Sequence, residues 1–502
     1  DLDAFDGTYQ GGTTKPPALA DRSELLLNDG KGHFTFAPPG PISSKALPTS
    51  GATFVDYDRD GNLDVFVGNF YVGNEGAGNR LYQGLGDGTM QDVSLASQVL
   101  RPAAGNDEAK LAAGEFRRAA YGVSSCDIDG DGDVDLIASA YGRGWNELWQ
   151  NQGDGTFKDI GQGTPFAADD NVDYHDNEFY RCWCAEPANA GKCTPEESQP
   201  RLDCTSSAWN PGIDDQPARN GGNTFSTACG DLDNDGDNDI LHAEIRHWHI
   251  GQSSDPSQIL RNDMQKGAAA PSFTRLTQEA TGLARPHTMT DWNEGDLDVA
   301  LFDFDNDGKK DIYLSSTDYP GTYGTLFHQK ADGNFEDVGA AAGVRHYHAH
   351  GFAAVDIDND GDLDLIVSTS TARCGGDSSC PATQEVRVYR NDVGNAKNVV
   401  QLRLHGAPGK SNATAIGARV AVTSGGVTQV QEVNGGYGHF GMQHGTVLTF
   451  GVGASCTIDA IEVRWPDSAG TVEKLTNVVP NYLVDVTQGA KKVVYSTPAA
   501  KH

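Results

Sequence analysis

Long apolar runs are missing from this 502-residue chain: no stretch of eighteen or more apolar residues occurs, so nothing in it reads as a membrane-spanning helix. Basic residues are scarce, with Lys plus Arg at 37 against Asp plus Glu at 70 and a formal charge of −33. A field of that sign repels nucleic acid and anionic membrane and attracts cations, which removes the first two from the partners to expect. Also absent are a C-x-x-C pair, a G-x-S-x-G elbow and a Walker loop, so zinc-ribbon, serine-hydrolase and P-loop chemistry lack their usual carriers. Long amphipathic stretches are few. Sixty-one glycines and many short β-branched runs remain, the composition of an all-β protein.

What is abundant is aspartate in one repeated order, D-x-D-x-D-G-x-x-D, which occurs five times. Positions 1, 3, 5, 7 and 9 read Asp56, Asp58, Asp60, Asn62, Asp64; Asp127, Asp129, Asp131, Asp133, Asp135; and Asp231, Asp233, Asp235, Asp237, Asp239. The last two copies read Asp303, Asp305, Asp307, Lys309, Asp311 and Asp356, Asp358, Asp360, Asp362, Asp364. A hard cation takes six to eight oxygens, and such a loop turns alternate carboxylates onto one ion while position 7 offers its carbonyl. Glycine at position 6, as Gly61, Gly132, Gly236, Gly308 and Gly361, permits the sharp turn. Position 12 is Val67, Ala138, His242, Leu314 and Val367, none able to replace the glutamate of an EF-hand. The flanks, as in ATFVD before and LDVFVG after, are strand-like. These are Ca²⁺ loops joining β-strands, about five ions in all.

A second signature recurs between the loops: NRLYQGLGDGTMQDV, NELWQNQGDGTFKDI, TLFHQKADGNFEDV. Its Asp-Gly pairs at 87–88, 154–155 and 332–333 supply hairpin turns. One repeat is then strand, loop, strand and hairpin, the four strands of a propeller blade, and six or seven blades are expected over residues 1 to 394. Residues from about 165 to 222 lack apolar alternation and crowd four of the nine cysteines, which reads as a disulfide-pinned excursion; a degenerate blade there is the alternative. Cys126 and Cys229 stand in nearly equivalent places before successive loops, and Cys374 and Cys380 flank a short loop. An odd cysteine count leaves one thiol over, and disulfides fit an oxidising exterior.

Asp1-Leu2-Asp3-Ala4-Phe5 aligns with Asn62-Leu63-Asp64-Val65-Phe66, placing Asp3 at position 9 of a further loop and raising the ion count to a possible six. The sequence starts inside a repeat. Its upstream half belongs to an unread segment or to another copy, and in the second case strand donation would build a homo-oligomer or filament.

After Asn395 the Asp loops stop, and VVQLRL, ARVAVT, LTFGVG and IEVRW alternate as in a β-sandwich over 395–490, with 491–502 as a tail. I-G-A-R-V, F-G-x-G (Phe450, Gly451, Gly453) and V-x-W-P (Val463, Trp465, Pro466) resemble the ASPIC and UnbV module, and the upstream repeats resemble FG-GAP or VCBS blades of integrin-α type. Together the chain resembles the cartilage acidic protein family and its bacterial relatives. The resemblance implies a secreted, calcium-loaded propeller followed by a sandwich, with an adhesion, matrix or scaffolding role toward a protein or glycan ligand.

His346, His348 and His350 alternate and would share one face of a strand, and His242, His247 and His249 form a second set. They support an alternative, a lyase-like carbohydrate-active enzyme with its site at the propeller axis; polar lining of the channel is the plainer reading. Asn412-Ala413-Thr414 is the N-glycosylation sequon found, read as loop.

Overall fold

The computed structural model describes residues 3–9, 22–72, 75–103, 107–206, 209–265, 267–287, 290–317, 319–372, 380–490 and 493–498. Each aspartate loop joins an inner strand to the next strand of an antiparallel sheet, in one fixed register. The residue before position 1 pairs with position 9, as Val55 with Asp64, Cys126 with Asp135, Gly230 with Asp239, Phe302 with Asp311 and Val355 with Asp364. Thr49–Val55, Asp64–Asn69, Arg80–Gly84 and Met90–Asp92 make one such sheet, and Ala120–Cys126, Asp135–Ala140, Glu147–Asn151 and Phe157–Asp159 the next. Inner strands Thr224–Gly230 and Asn293–Phe302 belong to two further repeats joined in one nine-stranded sheet where residues 245–247 pair with 293–295, and Ala349–Val355 opens a three-stranded sheet. An earlier sheet, Ala4–Asp6, Glu24–Asn28 and Phe34–Phe36, holds the three later positions of a blade. The arrangement is all-β and propeller-like.

Successive sheets stack face to face on apolar layers. Phe66, Leu81, Leu136, Trp149 and Phe157 fill one layer, and Ile128, Ile137, Leu148, Phe166, Ile240 and Leu260 the next. Burying each such side chain contributes about 1.5–3 kcal/mol. Hydroxyls stitch neighbouring sheets: Ser50 Oγ donates to Ala120 O (2.6 Å), and Ser139, on the second strand of its sheet, shares a bond of 2.8 Å with Thr227 on the next inner strand. The Asp-Gly hairpins form as the sequence indicates, with φ of 82° at Gly88, 85° at Gly155 and 83° at Gly333. Between Phe157–Asp159 and Thr224–Gly230 no strand occurs among the described residues; the excursion instead holds a helix, Glu178–Ala185, and the disulfides Cys182–Cys204 and Cys184–Cys193. Cys126–Cys229 ties two neighbouring inner strands. Cys456 is the free, exposed thiol, and Cys374 lies outside the described residues.

From Asn398 two four-stranded sheets share a separate core. One is ordered Leu448–Gly453, Asn398–His405, Tyr482–Thr487, Val494–Pro498, and the other Val427–Glu432, Arg419–Ser424, Ala460–Arg464, Val472–Leu475. Val400, Leu402, Val420, Val422, Phe450, Ile461, Val463 and Trp465 are buried between them. Within the segment read from sequence as a tail, Val494–Pro498 forms an edge strand that pairs antiparallel with Tyr482–Thr487.

The segment joining Val427–Glu432 to Leu448–Gly453 leaves the sandwich and enters the propeller axis. Gly438 N donates to Val123 O (2.8 Å), Phe440 N to Ser50 O (2.7 Å), His439 N to Asp298 Oδ1 (3.0 Å), and Gly435 O accepts from Phe54 N (2.9 Å). Ala354 N donates to His444 Nδ1 (3.0 Å), so the other ring nitrogen carries the proton toward Tyr437 Oη (2.5 Å). Phe225 packs on His439 at 5.4 Å, which completes contact with all five inner strands that precede a loop. Glycine is needed here: a Cβ on Gly435 would stand 1.9 Å from Phe54 O.

Candidate metal centres

The first four loops gather carboxylates as the pattern requires. Ligand oxygens of Asp56, Asp58 and Asp64, of Asp127, Asp129 and Asp135, and of Asp231, Asp233 and Asp239 lie within 4.8 Å of one another. These are positions 1, 3 and 9. In the fourth loop Asp303, Asp305 and Asp307 converge, and Asp305 and Asp311 converge with His328. Side chains at position 5 support the turn: Asp60 Oδ1 accepts from Asn62 N (2.7 Å) and Asp131 Oδ1 from Asp133 N (2.8 Å). Position 9 is anchored twice. Its Oδ2 accepts from the position-2 amide, at Tyr57, Ile128, Leu232, Phe304 and Ile357. Its Oδ1 accepts from the sheet's third strand, at Gly84, Asn151, Asn262, Gln329 and from Asn391 just beyond it. Asp3 makes this second bond as well, accepting from Asn28 N at 2.8 Å.

Burial without a counter-charge raises the proton affinity of the most enclosed of these carboxylates. It pushes Asp64 up to about 9, Asp239 to about 8 and Asp56 to about 7, with neighbouring aspartates adding to desolvation. Asp56 Oδ1, Asp127 Oδ1 and Asp356 Oδ1 are buried and have no hydrogen-bond partner. Buried orphan oxygens beside two further carboxylates are a donor set that suits a hard divalent cation, so the residues fit Ca²⁺.

Third-strand residues were missed as members of these centres. Gln83 Nε2 donates to Asp58 Oδ2 (2.6 Å), Gln150 Nε2 to Asp129 Oδ2 (2.5 Å), and His328 Nδ1 lies 3.0 Å from Asp311 Oδ1. The signal was the shared place after the aromatic in LYQ, LWQ and LFH.

The histidines do not assemble as one face. His346 opens a short strand, His346–Tyr347, that pairs with the preceding sheet; His348 has φ +57°, and Ala349 opens the next inner strand. The left-handed turn breaks the alternation, leaving His346 and His348 buried and His350 against Phe440 at 5.4 Å. His242 is a core residue bonded to Thr227 Oγ1 (2.9 Å) and Phe166 O (3.2 Å), and burial holds it neutral, down to about 3. His247 stacks on His249 at 5.1 Å. Asn412, read as a loop sequon, is 2 % exposed and bonded to Asp56 and Ile416, so its amide is closed to a glycan.

Residues 408–493 match the ASPIC and UnbV family model, and residues 18–67 and 303–367 match the FG-GAP-like repeat. No curated protein sequence matches the chain. Among solved structures it is similar to an Agrocybe aegerita lectin that recognises non-reducing terminal N-acetylglucosamine, at 16% identity and TM-score 0.36 over 75% of this chain and 77% of that one. The periplasmic gluconolactonase of Pseudomonas aeruginosa follows at 11% and 0.35, covering 78% and 85%, and the exotype rhamnogalacturonan lyase YesX at 12% and 0.32, covering 91% and 73%. No function is drawn from likenesses this distant. The chain carries FG-GAP-like repeats followed by an ASPIC and UnbV domain.

Proposed function

We propose that this is an extracellular Ca²⁺-binding scaffold or adhesion protein whose five loops each hold one structural ion. The observation that carries the reading is the set of buried, unpartnered position-1 oxygens beside converging carboxylates at positions 3 and 9. Calcium would supply charge neutralisation and nothing catalytic; the aspartates bind it, and the position-6 glycines let the loop close around it. The three disulfides among the described residues agree with an oxidising compartment, and no helix there is long and apolar enough to cross a membrane. An enzyme at the axis is the weaker alternative, since the 434–445 segment engages all five inner strands there.

Titration of the metal-stripped chain with Ca²⁺ by calorimetry tests the first part, with about five sites expected. Saturation at 100 times Kd adds about 2.7 kcal/mol per site to folding stability, seen as a rise in Tm. Absence of both heat and Tm shift would sink it. Release of the protein from matrix or cell surface by EDTA tests the scaffolding part, and retention after full chelation counts against it.

A further inference from the structure

We propose that the sandwich completes the calcium centres: Gln401, Asn412 and Arg464 are positioning residues, each holding one oxygen of a loop's first aspartate so that the other faces the ion. The proposal rests on the calcium reading above and adds a role for the second domain. In three loops the position-1 carboxylate is divided in the same way. Gln401 Nε2 donates to Asp356 Oδ2 at 2.9 Å and Asn412 Nδ2 to Asp56 Oδ2 at 3.3 Å, while Arg464 donates to Asp127 Oδ2. In all three Oδ1 is the buried oxygen left without a partner. Three different donor types, on separate strands and turns of the sandwich, produce one outcome.

A carboxylate with both oxygens free rotates about its bond to Cβ; a donor on Oδ2 fixes the plane and aims Oδ1, the work that outer partners do around metal ligands. The donors are themselves fixed. Asn412 Oδ1 accepts from Ile416 N (2.8 Å) and its Nδ2 also donates to Ile416 O (2.9 Å). Arg464 also donates to Gly130 O at 3.1 Å, and Glu432 Oε2 accepts from Asp127 N at 3.2 Å. The third and fourth loops are touched elsewhere: Arg419 donates to Gly236 O, and Lys397 Nζ to Asp305 Oδ2 at 2.8 Å. In the fifth loop Gly361 N also donates to Asp356 Oδ2 (3.1 Å), so Gln401 shares that oxygen with the loop's own turn, whereas in the fourth loop both oxygens of the first aspartate are held from within, Asp303 accepting from Asp307 N on Oδ1 and from Gly308 N on Oδ2. That loop is an internal control. By reciprocity, whatever factor docking adds to calcium affinity, calcium adds to docking.

The test uses the full chain, stripped of metal and titrated with Ca²⁺ alone, in Gln401→Leu and Asn412→Leu, with Gln431→Leu as control because Gln431 bonds only Thr449 O within the sandwich. Each variant is expected to weaken one site by about 10–100-fold, so that native mass spectrometry counts one ion fewer at the free calcium that just saturates the wild type. The Tm of metal-free Gln401→Leu should equal that of the metal-free wild type, whereas a merely structural bond would lower it. If Asn412→Leu does not fold, Gln401→Leu decides alone, since its only side-chain bond is to Asp356. Wild-type affinity at every site in Gln401→Leu overturns the proposal. A wild type that binds no calcium overturns this and the functional reading together, while a wild type that binds five with unaffected variants overturns only this one.

Discussion

Each loop bends through two left-handed residues, at positions 4 and 6. Position 6 has φ of 88° at Gly61, 102° at Gly132, 100° at Gly236, 92° at Gly308 and 97° at Gly361. Position 4 has 55° at Arg59, 73° at Gly130, 60° at Asn234, 56° at Asn306 and 61° at Asn359. The first was legible because glycine marks it in every copy; the second is marked less plainly, by Gly130, Asn234, Asn306 and Asn359, types that tolerate positive φ, with Arg59 breaking the rule. Gly236 separates backbone from packing, for a Cβ there would meet nothing within 4 Å. Gly236→Ala should therefore cost about 1–2 kcal/mol from φ alone, measured by denaturant unfolding in excess calcium. A loss near zero would mean that the loop relaxes to another turn.

Among elements, the inner strands were readable from their β-branched runs, and their pairing followed from the loops. Their partners across the molecule were not. Asn412 bonds Asp56 across 356 residues and Arg464 reaches Asp127 across 337, separations that carry no periodic trace in sequence. NGGYGHFGMQHG lies within the region assigned to the sandwich, yet it is the element that bonds the inner strands. Gly435→Ala should disturb that docking more than Gly436→Ala, because the first Cβ would strike Phe54 O at 1.9 Å whereas the second finds Met442 O at 3.2 Å. The difference would appear as faster proteolysis near residue 435 in the first variant, with the sandwich core unaltered. The Cys126–Cys229 bridge closes a span of 103 residues, so replacing both with serine should remove about 2–4 kcal/mol by freeing the unfolded chain. An unchanged unfolding midpoint would show that the two strands are held by their other contacts instead.

For the molecule as a whole, the buried aspartates fix how stability depends on pH. Asp64, Asp239 and Asp56 are raised in the folded state to about 9, 8 and 7, above the ordinary carboxylate value of the unfolded chain. Without metal the folded state binds the extra protons, so their contribution is full below about pH 4 and is lost as pH rises through 7 to 9. With calcium the ion replaces the protons, and lowering the pH through the same range drives it out. The metal-free protein should thus melt higher at pH 6 than at pH 8.5, and the calcium-saturated protein the reverse. Parallel pH profiles with and without EDTA check both signs, and profiles of the same slope would contradict the loop chemistry.

The 434–445 segment also dictates an order of events during synthesis. A nascent chain leaving the ribosome presents the inner strands that bear Ser50, Val123, Asp298 and Ala354 before the residues that will occupy their axis have been translated. At typical elongation rates that interval lasts several seconds. Those strands are therefore complete before the segment that bonds them has been made, and their bonds to it are the last to form.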